Sequence, residues 1–342
     1  MTSQAFPRAT MRDVADAAGV SLKTVSRVVN REPGVSDLLR EKVDAAAAAL
    51  EYRHNRAASD LRRGARTGSI GVLVQDVAND FCAQLLRAVE LRARDHGVVV
   101  LAASIDGDEA RERALVSDLV SRRADGIVLM PSGEDQSYVL PDHAAGLAVV
   151  LVDRVPAAST FDSVTIDNRG ATATAVAHLL ALGHRRIGFV GDDLAILTAR
   201  ERRAGYLESL EAAGVPPDAS LVAVATTRDE AIRAALDLVD RGATALFAGQ
   251  NTIAEGCVMA LQERELQHAI ALVSFDEVPM GTLVRPGLSV VRQDVSRIGT
   301  TATDLLLARL GGDRGPAIHE VVPTTFVPRG SGEIAPADTR LP

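Results

Sequence analysis

The sequence predicts a small all-α head followed by an α/β body built from two parallel-sheet subdomains. Three observations carry this. Residues 10–50 break into three capped helical segments. After residue 68, short β-branched apolar runs alternate with helical stretches, in two successive series. The charge divides at the same place: residues 1–68 hold 12 Lys+Arg against 8 Asp+Glu, whereas the remainder holds 25 against 37.

The head begins with a helix over residues 11–18, with Thr10 as its N-cap. Gly19 supplies the turn and Ser21 caps a second helix. Ser36 caps a third, residues 37–50, whose Ala-rich middle has high helix propensity. Residues 55–63, NRAASDLRR, have almost no apolar face. A free helix of that length is marginal in water, so this piece is expected to fold only against a partner. RRGARTG (62–68) reads as a linker.

In the body, the first series of apolar runs is SIGVLVQD (69–76), VVVLAAS (98–104), DGIVLMP (125–131) and AVVLVDR (148–154). The second is RIGFVGD (186–192), LVAVAT (221–226), TALFAGQ (244–250) and IALVSFD (270–276). Continuous apolar strands alternating with helices imply parallel sheets covered on both faces. Several runs end in a polar residue: Asp76, Asp153, Gln250 and Asp276. Ligands of open parallel sheets bind outside the carboxyl ends of the strands, so these residues are expected at a cleft between the subdomains. Residues 331–342, rich in Pro and Gly, read as a loose tail with no heptad pattern.

The totals exclude several classes. At 342 residues, two or three domains are expected. The two cysteines, Cys82 and Cys257, lack metal-ligand spacing and read as small buried hydrophobes near helix starts. No apolar leader opens the chain and no apolar run approaches the roughly 20 residues that span a bilayer. A cytoplasmic protein without membrane contact is expected. Walker A, HExxH, GxSxG and CxxC patterns are absent, and GFVG (188–191) is too short to mark a nucleotide site, so neither an enzyme nor a resident cofactor is expected.

Ala15, Gly19 and Val25 stand where a helix-turn-helix needs a small crossing residue, a turn-former and an apolar core residue. A purely structural three-helix cap would share that spacing. The exposed positions favour DNA instead. Lys23 and Arg27 can donate to guanine O6 and N7, and Leu22 can meet a thymine methyl. Ser21, Thr24, Ser26 and Asn30 can bond phosphates. The cap residues Thr10 and Ser36 complete the set of candidate DNA contacts on the head. A basic head on an acidic body confines phosphate binding to the head.

TMRDVADAAGVSLKTVSRVVN (10–30) and GVSDLLREKVDAAAAALEYRHNRAASDLRRG (34–64) closely resemble the headpiece of the LacI/GalR family of bacterial regulators. DNRGA (167–171), HLLALGHRRIGFV (178–190), RERRAGY (200–206) and SFDEVP (274–279) extend the resemblance through the body. It implies a DNA-binding headpiece over 1–54, a hinge helix and linker over 55–68, a core like a periplasmic binding protein over 69–330, and a tail. In such a family the hinge helix folds on the operator minor groove. Leu61 matches the residue that wedges into the central base step, and Asn55 and Ala58 match neighbouring hinge positions. Asp60 and His54 depart from the family pattern.

The resemblance also implies a small effector in the cleft. Phe81 matches a ring that packs on it, Ser132 a hydroxyl past the third strand, and Asp153 and Arg154 an acid–base pair ending the fourth. Arg202 matches the effector-binding Arg, with Thr198 nearby; Asp276 matches an acid after a cleft strand, and Gln293 lies on the return strand. Gln250 and Asn251 replace the usual Asn-Asp, and Thr226 stands where an aromatic cap is frequent. With few rings to sandwich a purine, a sugar or polyol is favoured over a nucleoside effector. The expectation is a homodimer on a near-palindromic operator, repressing transcription under effector control. A sugar-binding transport protein would share the body but not residues 10–64.

Overall fold

A computed structural model describes residues 9–52, 66–156 and 159–337. The chain divides between Thr67 and Gly68 into two compact units.

The first unit is the head. Helices α1 (Met11–Ala18), α2 (Leu22–Val29) and α3 (Asp37–Ala49) enclose a small core of Val14, Ala15, Val25, Val28, Val43 and Ala46. Thr10 and Asp13 form a reciprocal capping box at the start of α1. Gly19 ends that helix at φ 64°, a left-handed conformation in which glycine carries no steric penalty. Ser21 Oγ accepts from the Thr24 amide and caps α2. Ser36 occupies the cap position of α3, but its side chain makes no capping bond.

The second unit contains two six-stranded sheets. The first sheet has the order β11-β5-β4-β3-β1-β2 and is parallel throughout. Its strands are β1 (Ser69–Val74), β2 (Val99–Ser104), β3 (Gly126–Leu129), β4 (Ala148–Val152), β5 (Asp162–Thr165) and β11 (His319–Val321). Helices α4 (Asp80–Asp95), α5 (Glu109–Ser121), α6 (Leu140–Ala144) and α11 (Val295–Leu310) belong with it.

The second sheet has the order β12-β10-β9-β8-β6-β7. It is formed by β6 (Ile187–Gly191), β7 (Val222–Val224), β8 (Ala245–Ala248), β9 (Ala271–Phe275), β10 (Ser289–Gln293) and β12 (Thr324–Val327). Helices α7 (Asn168–Ala181), α8 (Leu197–Ala212), α9 (Arg228–Asp240) and α10 (Asn251–Glu263) accompany it. Strand β12 runs antiparallel to β10, so this sheet is not wholly parallel.

The eight apolar runs all form strands, and β3, β4, β6, β8 and β9 are buried along their whole length. The chain crosses between the sheets three times: after β5, after β10 and after β11. Each sheet is therefore completed by residues from beyond the other.

Two expectations are corrected. The segment expected to be a loose tail is docked through Ile334: Ser331 is buried and its hydroxyl donates to the Leu272 carbonyl at 2.6 Å. Glu333 accepts from Ser289 Oγ at 2.8 Å, and His184 meets the Ile334 carbonyl at 2.8 Å. The small residues that make 331–332 look loop-like are those that fit closely against Val273 and Ser289. Residues 338–342 lie outside the described segments. Cys257 lies in the middle of α10 rather than near its start, whereas Cys82 does lie in the first turn of α4. Both are buried, and burial pushes their thiols up to about 12 and about 11 respectively.

Candidate functional site

On the head, the packing of Val25 and Val28 inward turns the opposite side of α2 to solvent. Leu22 and Lys23 are exposed at its start. Ser26 and Asn30 lie one turn apart and are tied together: Asn30 Nδ2 donates to the Ser26 carbonyl at 2.7 Å and to its Oγ at 3.3 Å. Ser21 and Thr24 hydroxyls lie 2.9 Å apart at the helix start. Arg27 is not an extended side chain: its Nη2 donates to the Pro33 carbonyl at 2.6 Å and its Nε lies 3.6 Å from Glu32. Thr10 and Ser36 sit at the helix N-caps. Asn55, Ala58 and Leu61 lie outside the described residues.

In the core, all eleven expected cleft residues line one cavity of about 870 Å³ between the two sheets. The carboxyl ends of the strands bring them there. Asp153 follows β4 and Asp276 follows β9, with φ of 63° and 71°. Asp is among the few side chains that tolerate this left-handed region. Their amides are held by the carbonyls of Val164 and Val291, at 3.1 and 2.9 Å.

Arg202, buried on α8, is the most heavily committed group in the cavity. Its Nε donates to Asn168 Oδ1 and its Nη1 to the Gly249 carbonyl, both at 2.8 Å. Its guanidinium lies 3.8 Å from Asp276 and 3.7 Å above the centre of the Phe275 ring. Burial lowers the Arg202 pKa and raises that of Asp276. Gln293 Nε2 donates to Asp276 Oδ1 at 2.6 Å. Arg154 lies 3.6 Å from Asp153 and donates to Gln75 at 3.0 Å. Asp76 caps its own turn, accepting from the Ala78 amide, and Phe81 packs on the core below. The Ser132 amide is held by buried Glu112 at 2.6 Å, while its hydroxyl is buried without a partner. Thr198 is buried in the first turn of α8.

Gln250 caps α10 and donates to Asp192. Asn251, the first residue of α10, exchanges hydrogen bonds with Asn79 across the cleft at 3.0 and 3.2 Å.

A family model described as bacterial regulatory proteins of the lacI family matches residues 10–55. One described as a periplasmic binding protein-like domain matches residues 176–332. The HTH-type transcriptional regulator PtxS of Pseudomonas plecoglossicida is 32% identical over 97% of this chain and 98% of its own. The chain belongs to the LacI family.

Other relatives agree. Catabolite control protein A of Priestia megaterium is 32% identical, covering 87% of this chain and 91% of its own. Among solved structures, a lac repressor dimer bound to operator and the anti-inducer ONPF superposes with a TM-score of 0.83 at 27% identity, covering 95% of this chain and 99% of that one. A CelR–cellobiose complex superposes at 0.69 with 28% identity, covering 95% and 100%. As a LacI-family member, the chain is a DNA-binding transcriptional regulator rather than an enzyme. No helix among the described residues is long and apolar enough to cross a membrane.

Sequence reasoning missed several polar cavity residues, among them Asp192, Gln75 and Asn79. Asp192 ends β6 as Asp153 ends β4, and the same strand-end signal could have found it. Gln75 likewise follows β1. Asn79 was readable as a helix cap, but its partner lies 172 positions away and no local pattern announces it.

Proposed function

We propose that this regulator represses transcription from a near-palindromic operator as a twofold homodimer, and that a sugar or polyol in the cleft controls its affinity. The observation that supports the effector reading is the convergence of the eleven expected positions on one cavity. Its acids, amides and hydroxyls suit a ligand rich in hydroxyl groups. Phe81 is the cavity's one aromatic lining residue among those described, which argues against stacking of a purine.

On the head, Leu22, Lys23 and Arg27 are assigned to base edges. Ser21, Thr24, Ser26 and Asn30 are assigned to phosphates, with Thr10 and Ser36 at the helix N-termini beside them. Asn55, Ala58 and Leu61 are assigned to the minor groove by their resemblance to hinge positions. For the dimer, exposed Val99 and Leu101 on edge strand β2 and Val224 on edge strand β7 offer apolar surface to a second copy. Two heads then read two half-sites.

The test is selection of bound sequences from random duplexes, repeated with a panel of sugars and polyols. A near-palindromic consensus whose affinity shifts with one panel member is expected. Binding indifferent to sequence under every compound would reject the proposal.

A further inference from the structure

The cleft carries more negative charge than its cations offset. Eight carboxylates line it against two guanidiniums. Four of the eight have an arginine: Asp153 has Arg154, Asp276 has Arg202, Glu134 has Arg200 and Asp106 has Arg111. Asp192, partly buried at the end of β6, has none: among the described residues no cationic side chain comes within 4.0 Å of it. Arg202, whose field reaches it, is engaged by Asn168, Gly249 and Asp276; Arg154, whose field also reaches it, gives Nη1 to Gln75, while its buried Nε lies 3.6 Å from Asp153 without a hydrogen-bond partner, open to a ligand hydroxyl oxygen. Burial raises the Asp192 pKa, outweighing the opposing pull of the Arg154 and Arg202 charges. Its oxygens accept from the Asp193 amide at 2.7 Å and from Gln250 Nε2 at 3.1 Å, which leaves each with further acceptor capacity.

A second, independent observation lies in the same cavity. Gln293 is 6% exposed, and while its Nε2 is engaged by Asp276, its Oε1 has no partner. A buried amide oxygen without a donor is costly, so it calls for a ligand hydrogen. A ligand hydroxyl supplies that hydrogen, whereas an anionic substituent would add to the excess charge.

We propose that the effector is a polyhydroxylated amine, whose ammonium docks on Asp192 and one of whose hydroxyls donates to Gln293 Oε1. This rests on the sugar-or-polyol reading above and narrows it. A neutral polyol leaves Asp192 without a counter-ion. A sugar acid or sugar phosphate meets seven further carboxylates. The ammonium is the one substituent that supplies both the missing charge and additional donors.

The test is titration calorimetry on the full-length protein at about pH 6.5, where amines are protonated. The probes are glucose, galactose and mannose, the 2-amino-2-deoxy form of each, the N-acetyl form of each, and the corresponding hexonates. At least one amine should bind about tenfold or more tightly than both its parent and its N-acetyl form. Asp192→Asn should erase that advantage, leaving the variant's affinity for the amine no greater than its affinity for the parent sugar. Equal binding of parent and amine, tightest binding of a hexonate, an advantage that survives Asp192→Asn, or no binding by any amine would each overturn the inference. If neutral sugars bind and shift operator affinity while the amines show no preference, the regulatory reading stands and only the amine falls. If no compound binds or shifts operator affinity, both fall.

Discussion

Replacing Arg202 with Met should unfold the cleft wall before it informs on ligand binding. The guanidinium sits 3.8 Å from Asp276, with both side chains buried. At an effective dielectric constant of about 20, that separation corresponds to roughly 4 kcal/mol of attraction, much of it offset by the cost of taking both charges out of water. Removing one partner reverses that balance, because buried Asp276 loses the cation that opposes its raised pKa and must either stay charged with only Gln293 beside it or take up a proton. The hydrogen bonds to Asn168 and Gly249, which join α7 to the loop after β8, are lost as well. Loss of one member of a buried pair costs about 3–5 kcal/mol. Urea unfolding at fixed protein concentration measures it. Arg202→Met should lose that amount, and adding Asp276→Asn should recover about 1–3 kcal/mol relative to the sum of the single losses. A loss under about 1 kcal/mol, or two losses that simply add, would refute the assignment of Arg202 as the strut of this wall.

Three further outcomes are expected. Gly205→Ala gains about 1 kcal/mol of helix propensity, but its methyl would collide with the Arg169 carbonyl oxygen where α7 crosses α8; a net loss of about 1–3 kcal/mol in thermal unfolding is expected, and an unchanged or raised melting temperature contradicts the crossing. Because burial raises the folded pKa of Asp192, the contribution of this group to stability falls as pH rises through the carboxylate range; Asp192→Asn should therefore melt higher than wild type at pH near 7, with the gain vanishing toward acid, and a gain independent of pH would show that the charge is not its source. Arg27→Ala should cost about 1–3 kcal/mol of operator binding and relax one base preference, whereas equal loss on every sequence would make Arg27 a phosphate contact; circular dichroism of the variant checks that losing the Pro33 and Glu32 contacts has not frayed α2.

The sequence was most legible where the physics is local. Thr10, Ser21 and Gly19 punctuate α1 and α2 through bonds to residues three or four positions away, so their roles are written within one turn. The buried strands were equally plain, because burial on both faces demands unbroken apolar runs. Strands β5, β11 and β12 escaped because they are short and polar: DSVT, HEV and TTFV carry no apolar run, and they pair as they do because the chain returns across the crossovers. The cleft was legible as strand ends, yet its charge balance was not. Whether Asp192 has a counter-ion depends on where Arg154 and Arg202 spend their donors, and that is fixed by Gln75, Asn168 and Gly249 from distant segments. Docking of residues 331–334 was hidden for a related reason, since small polar residues look the same in a loose end and in a tight contact.

The ties across the cleft set the scale on which any ligand must act. Asn79 and Asn251 exchange two hydrogen bonds between the subdomains, and Glu134 pairs with Arg200. A neutral hydrogen bond contributes about 1 kcal/mol net, and an exposed ion pair about 0–1 kcal/mol. The existing bias toward this arrangement from these contacts is thus roughly 2–3 kcal/mol. A ligand shifts such an equilibrium only by its difference in affinity for the two arrangements, and about 1.4 kcal/mol of difference already changes the ratio tenfold. Asn79 caps α4 and Asn251 opens α10, while Phe81 and Gln250, which line the cavity, lie within two residues of them. A molecule touching those neighbours acts on the same helix ends as the amide pair. Effector binding and subdomain angle are therefore coupled by position, without any need for a long pathway of intermediates.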